Sequence, residues 1–396
     1  MPKPKTKQTT RRASHSHEPF KEELRSELLA LFRKQGFKLD RDHLLKQRQY
    51  DKQDVRDIHF HSRGIRLLEE QAFTEKWFPR VQKYFASGDE VRPNRVDPYP
   101  ILVGEDEELA ALFRTASLWW SVPVSRGFGR RFRVVVFDRA NGKLLGLLGM
   151  TDPVFNLRTR DEWIGWDVRD REKRLASVMD AYVLGAVPPY NQLLGAKLMA
   201  LLASSDYIRS VFKQKYGNVR SVILHRKAER RLALVTVTSA LGRSSIYNRL
   251  RYGGEDVFRP VGFTEGYGHF HLANGTFEKL RHLLRICGDD EVNRYKFGCG
   301  PNYRIRLARR ALQSLDLPPD LLRHGVHRAV YVAPLAENSA AFLRGEAERL
   351  RWYRRPFDEM ADHWRTRWLI PRAERDCSYL GFQKEQWVGI AGLKVA

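Results

Sequence analysis

The sequence predicts a mixed α/β (α+β) protein in which a β-sheet core has helical regions before and after it in the chain. Three observations predict this class. Apolar residues recur at helical spacing near both ends, runs rich in β-branched residues cluster within residues 125–275, and helical segments separate those runs. Strands that alternate with helices are typical of a sheet covered by helices.

The N-terminal part divides into a basic arm and a helical region. Residues 1–17 contain five Lys or Arg and no acid among Pro, Thr and Ser, which predicts a flexible arm. Apolar residues at helical spacing from Glu18 to Gly36 predict an amphipathic helix. Three prolines within residues 92–100 predict an extended connector, and the helical region is assigned to residues 18–115.

The core is assigned to residues 116–275. Its clearest element is a hairpin, because the apolar runs 132–137 and 143–150 flank the turn sequence DRANG. The next elements are predicted to be a strand, a helix, a strand, a short helix and a strand pair, at residues 181–187, 194–202, 232–238, 244–251 and 257–272. A C-terminal helical region is assigned to residues 276–375 and a tail to residues 376–396.

The charge of the chain favours a polyanionic partner. The 396 residues include 70 Lys or Arg and 47 Asp or Glu, and residues 201–260 alone hold twelve basic and four acidic residues. Because such charge attracts phosphate, nucleic-acid binding is predicted, although a solvated arginine-rich surface is the plain alternative. The candidate phosphate-contacting residues are Arg11, Arg12, Lys213, Lys215, Arg226, Lys227, Arg230, Arg231, Arg243 and Arg249.

The sequence also predicts the compartment. The sequence contains no run of about 18 apolar residues, so no membrane span is predicted. No hydrophobic segment follows the basic start, so no secretory signal is predicted. The three cysteines lack C-x-x-C spacing, which argues against a disulfide framework or a structural zinc site. A cytoplasmic protein without a membrane partner is therefore expected.

Several stretches of the central region resemble the DruA family of the Druantia anti-phage system. They read GMTDPVFN at 149–156, RDEWIGW at 160–166, VPPYN at 187–191, TSALGRSS at 238–245 and GYGHFHL at 266–272. The resemblance extends from about residue 20 to 375. It implies a bacterial antiviral defence protein that acts with other subunits, including a helicase-like partner, and it implies no particular catalytic residues.

The order of elements in the core is also similar to the GNAT acetyltransferase fold. There, a hairpin precedes a strand whose following helix begins at a glycine-rich turn that cradles the pyrophosphate of acetyl-CoA. The matching stretch here is QLLGAK at 192–197, so Gln192 and Gly195 are weak cofactor-binding candidates, although Lys197 departs from the pattern. Tyr247 resembles the general-acid tyrosine of that superfamily.

A metal-dependent nuclease is the main enzymatic alternative. Asp152, Asp161 and Glu162 are close in sequence, and His269 and His271 would share one face of a strand. Carboxylates and imidazoles of this kind could hold Mg²⁺ or Mn²⁺ and activate water. Carboxylates near arginines are, however, commonly structural ion pairs.

No catalytic role is assigned to any residue. The candidates are Asp152, Asp161, Glu162, Tyr247, His269 and His271. No G-x-S-x-G elbow or G-x-x-x-x-G-K-[ST] loop is present, which argues against a serine hydrolase and against ATP hydrolysis by this chain. A non-catalytic nucleic-acid-binding component without a cofactor is favoured. A nuclease, a divergent acyltransferase and an assembly scaffold remain open, as do the type of nucleic acid and the oligomeric state.

Overall fold

The structure is a computed structural model that describes residues 17–34, 38–39, 45–46, 51–120, 129–217, 230–268, 272, 274–289 and 303–390. The chain forms two compact units. Unit 1 comprises Met1–Ile58 and Glu265–His327, and unit 2 comprises His59–Thr264 and Arg328–Ala396. Each unit therefore takes segments from two distant parts of the sequence.

The helices and strands are numbered along the described chain. The helices are α1 Glu18–Lys34, α2 Lys52–Glu69, α3 Gln71–Val81, α4 Glu107–Ala116, α5 Arg158–Ile164, α6 Val168–Arg174, α7 Gly195–Ala203, α8 Asp206–Tyr216, α9 Asn274–Ile286, α10 Tyr303–Ser314, α11 Ser339–Arg344, α12 Phe357–Trp364, α13 Ile370–Arg375 and α14 Gln386–Ile390. The strands are β1 Lys38–Leu39, β2 Leu45–Lys46, β3 Pro98–Val103, β4 Arg131–Asp138, β5 Lys143–Thr151, β6 Val178–Ala186, β7 Leu234–Thr238, β8 Arg251–Tyr252, β9 Glu255–Asp256, β10 Arg259–Phe263 and β11 Ala329–Pro334. A π-helical turn, Arg365–Leu369, joins α12 to α13.

Unit 1 is built around helices α1, α9 and α10. The predicted first helix is confirmed, and its residues Leu24, Leu28 and Phe32 are at most 1% exposed because their spacing places them on one helical face. They belong to the same apolar cluster as leucines of α9 and α10. This cluster is the core of unit 1.

Unit 2 contains a seven-stranded sheet in the order β10-β11-β7-β6-β5-β4-β3. Neighbouring strands are antiparallel except β6 and β7, which are parallel. A parallel pair needs a long crossover connection, and α7 and α8 lie in that connection. The predicted mixed α/β class is confirmed.

The predicted hairpin forms two neighbouring strands of this sheet, between β6 and the edge strand β3. Strands β4 and β5 pair antiparallel, and the turn closes where Gly142 N donates to Asp138 O at 2.8 Å, with Gly142 at a φ of 69°. Residues alternate between the two faces of a strand. Val134 and Val136 thus join the apolar cluster that includes α7 and α8, whereas Val135 joins the cluster that includes α4. Both faces of the sheet are therefore buried at β4.

Two of the seven strands come from outside residues 116–275. Strand β3 precedes this range, and β11 lies in the part of the chain predicted to be helical. Strand β10 is the first of the two strands predicted within 257–272, and it pairs with β11, Arg259 opposite Val332. Residues 269–271 of the predicted second strand lie outside the described residues. A local pattern cannot reveal this pairing, because β11 and β10 are joined only through the long intervening segment of unit 1.

The predicted short helix over 244–251 was wrong. Isolated turns occupy this segment, with Asn248 N donating to Ser244 O at 3.2 Å and Leu250 N to Tyr247 O at 3.4 Å. Arg249 has a φ of 58°, which does not continue a right-handed helix. The buried ring of Tyr247 packs 4.9 Å from the ring of Tyr331, so tertiary contacts determine the path of the chain here.

His59 on α2 is expected to make the stability of unit 2 depend on pH. The side chain is 1% exposed and neither ring nitrogen has a hydrogen-bond partner within the described chain. Burial, with a smaller contribution from the positive charge of Arg328, lowers the pKa of His59 from 6.5 to about 4. Because the unfolded chain then takes up the proton at higher pH than the folded chain, stability is lost as pH falls from 6.5 towards 4.

Because of His59, the free energy of unfolding should fall by about 2 kcal/mol between pH 7 and pH 5. His59→Leu should remove that part of the pH dependence, since leucine does not titrate. Urea unfolding of both proteins at pH 7 and pH 5 measures the difference. Equal pH dependence of the two proteins would contradict the assignment.

Candidate functional site

The described basic candidates fall into two groups, and the first lies near the end of α8. This helix buries Ile208, Val211 and Phe212, so its other side carries Lys213, which is exposed, and Lys215, which is partly exposed. Lysines in the last turn of a helix are favourable because the helix dipole is negative there. The hydroxyl of Tyr216 donates to Arg131 O at 2.9 Å and ties this end of α8 to the start of β4.

Arg230 and Arg231 lie shortly before β7, which begins at Leu234. The amide of Arg230 lies 3.5 Å from Gly217 O, which brings the start of β7 to the end of α8. Lys213, Lys215 and Arg230 therefore lie at one end of the sheet, and we call these three residues the α8–β7 basic surface. Arg231 lies beside them, where its Nη1 donates to Glu348 O at 3.4 Å.

Arg243 and Arg249 form the second group, which follows β7. Both are exposed. Strand β7 lies between them and Arg230 along the chain, and its five residues alone span roughly 16 Å. The structure thus divides these candidates between the two ends of β7. Arg11, Arg12, Arg226 and Lys227 lie outside the described residues.

Many basic residues of this protein pair with a carboxylate, whereas others, such as Arg92 and Arg169, have no carboxylate partner within the described chain. Arg130 lies 2.6 Å from an Asp152 oxygen and Arg344 lies 2.6 Å from a Glu346 oxygen, and many other surface arginines have such partners. Within the part of the chain that the structure describes, by contrast, no carboxylate pairs with the three residues of the α8–β7 basic surface, nor with Arg243 or Arg249. Their charge is not neutralised by that part of the protein.

The turn before α7 contains the two cofactor-binding candidates, and its groups are engaged within the chain. Leu194 O accepts from the indole of Trp364 at 3.0 Å, and Gln192 O accepts from Arg372 Nε at 3.2 Å. The amide of Gly195 donates to Tyr190 O at 2.9 Å. The helix that begins at Gly195 is thus covered by α12 and α13.

Gly195 itself has a packing role. A Cβ at this position would lie 2.7 Å from the Ala186 Cβ and 2.8 Å from Tyr190 O. The glycine therefore permits close contact between α7 and the end of β6. Lys197, two residues further along α7, donates to Ser245 O at 3.1 Å and lies 5.3 Å from the ring centre of Trp368.

A buried polar cluster lies where β6 and β7 separate. The two strands pair only from Val178 to Asp180, although β6 continues to Ala186. At the last pair, Thr236 Oγ1 donates to Asp180 Oδ1 at 2.6 Å. Burial raises the pKa of Asp180, and burial together with nearby Tyr331 and Asp180 raises the pKa of Tyr247. Both shifts favour the protonated forms, which can donate a proton or a hydrogen bond.

Sequence reasoning selected Tyr247 but missed Asp180. The available signal was an acid at the start of an otherwise apolar strand, where an unpaired carboxylate is costly. The predicted strand began at residue 181, one position too late to include it. The structure therefore adds Asp180 and Thr236 to Tyr247 as candidate functional residues where β6 and β7 separate.

The three predicted carboxylates are all paired with arginines. Asp152 pairs with Arg130, and exposed Glu162 accepts from Arg158 Nε at 2.7 Å. Asp161 is the most buried of the three and pairs with two arginines. Its Oδ1 lies 2.7 Å from Arg160 Nη2 and its Oδ2 lies 2.7 Å from Arg171 Nη1.

Comparison with known proteins assigns the family. A family model described as Druantia protein DruA matches residues 49–345. The chain belongs to the DruA family. The curated Druantia protein DruA of Escherichia coli (strain UMEA 4076-1) is 43% identical over 326 residues, which cover 82% of this chain and 81% of that protein. No solved structure matches the chain.

Membership of the DruA family confirms the resemblance found in the sequence. It indicates a component of the Druantia anti-phage defence system. Two of the DruA-like segments, 149–156 and 160–166, meet in the ion-pair network around Asp161. Arg160 is fully buried and donates to the carbonyls of Val154 and Phe155, at 2.8 and 3.1 Å. A fully buried arginine therefore joins these two DruA-like segments.

The metal-site candidates are only partly described in this DruA-family chain. His269 and His271 lie outside the described residues. Among the residues that are described, no group of three or more His, Cys, Asp or Glu side chains is arranged to hold a metal ion. The predicted metal site thus stays a prediction.

No helix in the described ranges is both long enough and apolar enough to cross a bilayer.

Proposed function

We propose that this DruA-family protein binds nucleic acid through the α8–β7 basic surface and acts as the nucleic-acid-binding component of its Druantia system. The observation that carries the proposal is the lack of carboxylate partners for Lys213, Lys215 and Arg230 within the described chain. Unneutralised cations grouped at one end of a sheet attract phosphates and release the counterions bound to nucleic acid. The sequence between these residues adds Arg226 and Lys227.

The core supports binding more than acyl transfer. The order of elements supports a GNAT-like core. As in the GNAT fold, a hairpin is followed by a strand and then by a helix that begins at a glycine. A pyrophosphate needs amide donors, however, and those of Leu193 and Gly195 donate to Tyr190 O while that of Lys197 donates to Leu194 O. A cofactor that needed these groups would have to compete with contacts inside the chain, so a binding role is favoured over an acyltransferase.

The pairing of carboxylates also favours binding over cleavage. A nuclease needs carboxylates that are free to coordinate a metal ion. Asp152, Asp161 and Glu162 are each engaged by arginines. A defence system implies other subunits, and we assign the motor work to a helicase-like partner because the chain has no P-loop sequence.

Neutralising the α8–β7 basic surface should weaken nucleic-acid binding. For Lys213→Gln/Arg230→Gln we expect roughly tenfold lower affinity, and a plot of log affinity against log salt about 2 units less steep, because two phosphate contacts are lost. Fluorescence anisotropy with labelled DNA and RNA at rising salt measures both quantities.

Arg351→Gln/Arg354→Gln is the matched control. It removes the same net charge, but these arginines pair with Glu337 and Glu359, so binding should stay close to that of the unaltered protein. Equal losses in both variants would show that net charge alone matters and would contradict the proposal. Stabilisation of the protein by acetyl-CoA would favour an acyltransferase instead.

A further inference from the structure

Helix α10 of unit 1 has an unusually basic exposed side. It carries arginines at 304, 306, 309 and 310 and no acid. Leu307, Ala308, Ala311 and Leu312 are buried in the core of unit 1, so the opposite side of the helix faces solvent. Arg304, Arg306 and Arg309 are exposed there.

A tyrosine lies beside this row of arginines. Tyr267 is 37% exposed, and its hydroxyl accepts a hydrogen bond from Arg309 Nη2 at 2.8 Å. The backbone of Tyr267 forms a bridge with Arg323, so the ring is held from both ends. An exposed aromatic ring that is already fixed loses little conformational entropy when it binds a flat ligand.

The pairing of the arginines leaves positive charge on this side. Arg310 pairs with Asp289 at 3.0 Å, whereas the described bond of Arg309 is to a neutral hydroxyl. Arg304 lies 5.0 Å from the ring centre of Phe277, a contact that does not neutralise it. Arg304 and Arg309 therefore keep their charge next to an exposed aromatic ring.

We infer that unit 1 carries a second binding site of its own, which takes single-stranded nucleic acid. Arg304 and Arg309 contact backbone phosphates, and a base stacks on Tyr267. Only an unpaired strand offers a free base face beside its phosphates, and proteins that bind single strands combine a basic path with aromatic platforms. The inference extends the proposed function, since it concerns the same class of ligand at residues of the other unit.

The test uses the full chain and labelled oligonucleotides of single-stranded DNA, single-stranded RNA and duplex DNA. Tyr267→Ala should weaken single-strand binding between about 5-fold and about 100-fold, because one stacked base is lost. Tyr267→Phe keeps the ring and should bind nearly as well as tyrosine. Duplex binding should be unchanged in both variants. The DNA and RNA arms identify which single strand is preferred.

For single strands, Arg304→Gln/Arg309→Gln should make the plot of log affinity against log salt less steep by about 1.4 units. Each lost phosphate contact accounts for about 0.7 of these units. Arg281→Gln is the control in the same unit, because Arg281 already pairs with Glu278 at 2.7 Å and should not contribute. Thermal unfolding of each variant shows whether unit 1 remains folded. If Tyr267→Phe were unfolded, the arginine variants would still test the site.

The outcomes separate this inference from the proposed function. Single-strand binding that is unaffected by Tyr267→Ala, but lost in Lys213→Gln/Arg230→Gln, would overturn the inference and leave the proposed function standing. Equal competition by an acidic peptide would also overturn it, in favour of an acidic protein partner. Weaker single-strand binding in Tyr267→Ala and in Arg304→Gln/Arg309→Gln, with duplex binding retained, is the result expected.

Discussion

Replacing Asp161 with Ala should destabilise unit 2 by about 3–5 kcal/mol. The substitution leaves Arg160, which is fully buried, and Arg171, which is nearly so, without the carboxylate that both share. A buried charge without its partner retains the cost of leaving water and loses the attraction that offset it. Urea unfolding followed by circular dichroism measures the loss.

Glu162→Ala is the matched control for Asp161→Ala. Glu162 is the next residue, but its pair with Arg158 is exposed on both sides, so we expect a change below about 1 kcal/mol. A loss under 1 kcal/mol in Asp161→Ala would contradict the importance of the ion-pair network. Because the expected effect is on stability, loss of any activity in Asp161→Ala would not identify a catalytic residue.

Trp364→Ala should lower the free energy of unfolding of unit 2 by a similar amount, about 3–5 kcal/mol. Trp364 is fully buried in the cluster that joins α12 to α7, and its indole donates to Leu194 O. Alanine would leave a large cavity and remove the hydrogen bond that closes the turn before α7. Thermal and urea unfolding measure the change.

Trp364→Phe separates the two contributions. Phenylalanine keeps most of the apolar contact but cannot donate to Leu194 O, so about 1–2 kcal/mol should be lost. Leu194 O still accepts from Lys197 N at 3.0 Å, which limits the cost. If phenylalanine cost as much as alanine, the hydrogen bond and not the packing would dominate, which would contradict this account of the site.

Local patterns predicted the elements that depend on neighbours in sequence. The apolar spacing from Glu18 predicted α1, and the DRANG turn predicted the β4–β5 hairpin. These predictions succeeded because a helix face or a two-strand hairpin is specified within one short segment. The family was predicted in the same way, from short uninterrupted segments of unusual sequence.

Predictions that depended on distant segments failed or were incomplete. The partner of β10 is β11, which follows it only after a segment that folds into unit 1. Residues 244–250 form turns because Tyr247 is buried beside Tyr331, which overrides the local preference for a helix. Asp180 was missed because its significance depends on where β6 and β7 separate.

By itself, the sequence determined the mixed α/β class, the local elements, the DruA family and the excess of positive charge. Only the tertiary structure decided which charges are neutralised. The sequence alone did not show that Asp161 pairs with two buried arginines, or that no described carboxylate pairs with Arg230. The reason is physical: the energy of a charge is set by burial and by the groups within a few ångströms, and these come mostly from other parts of the chain.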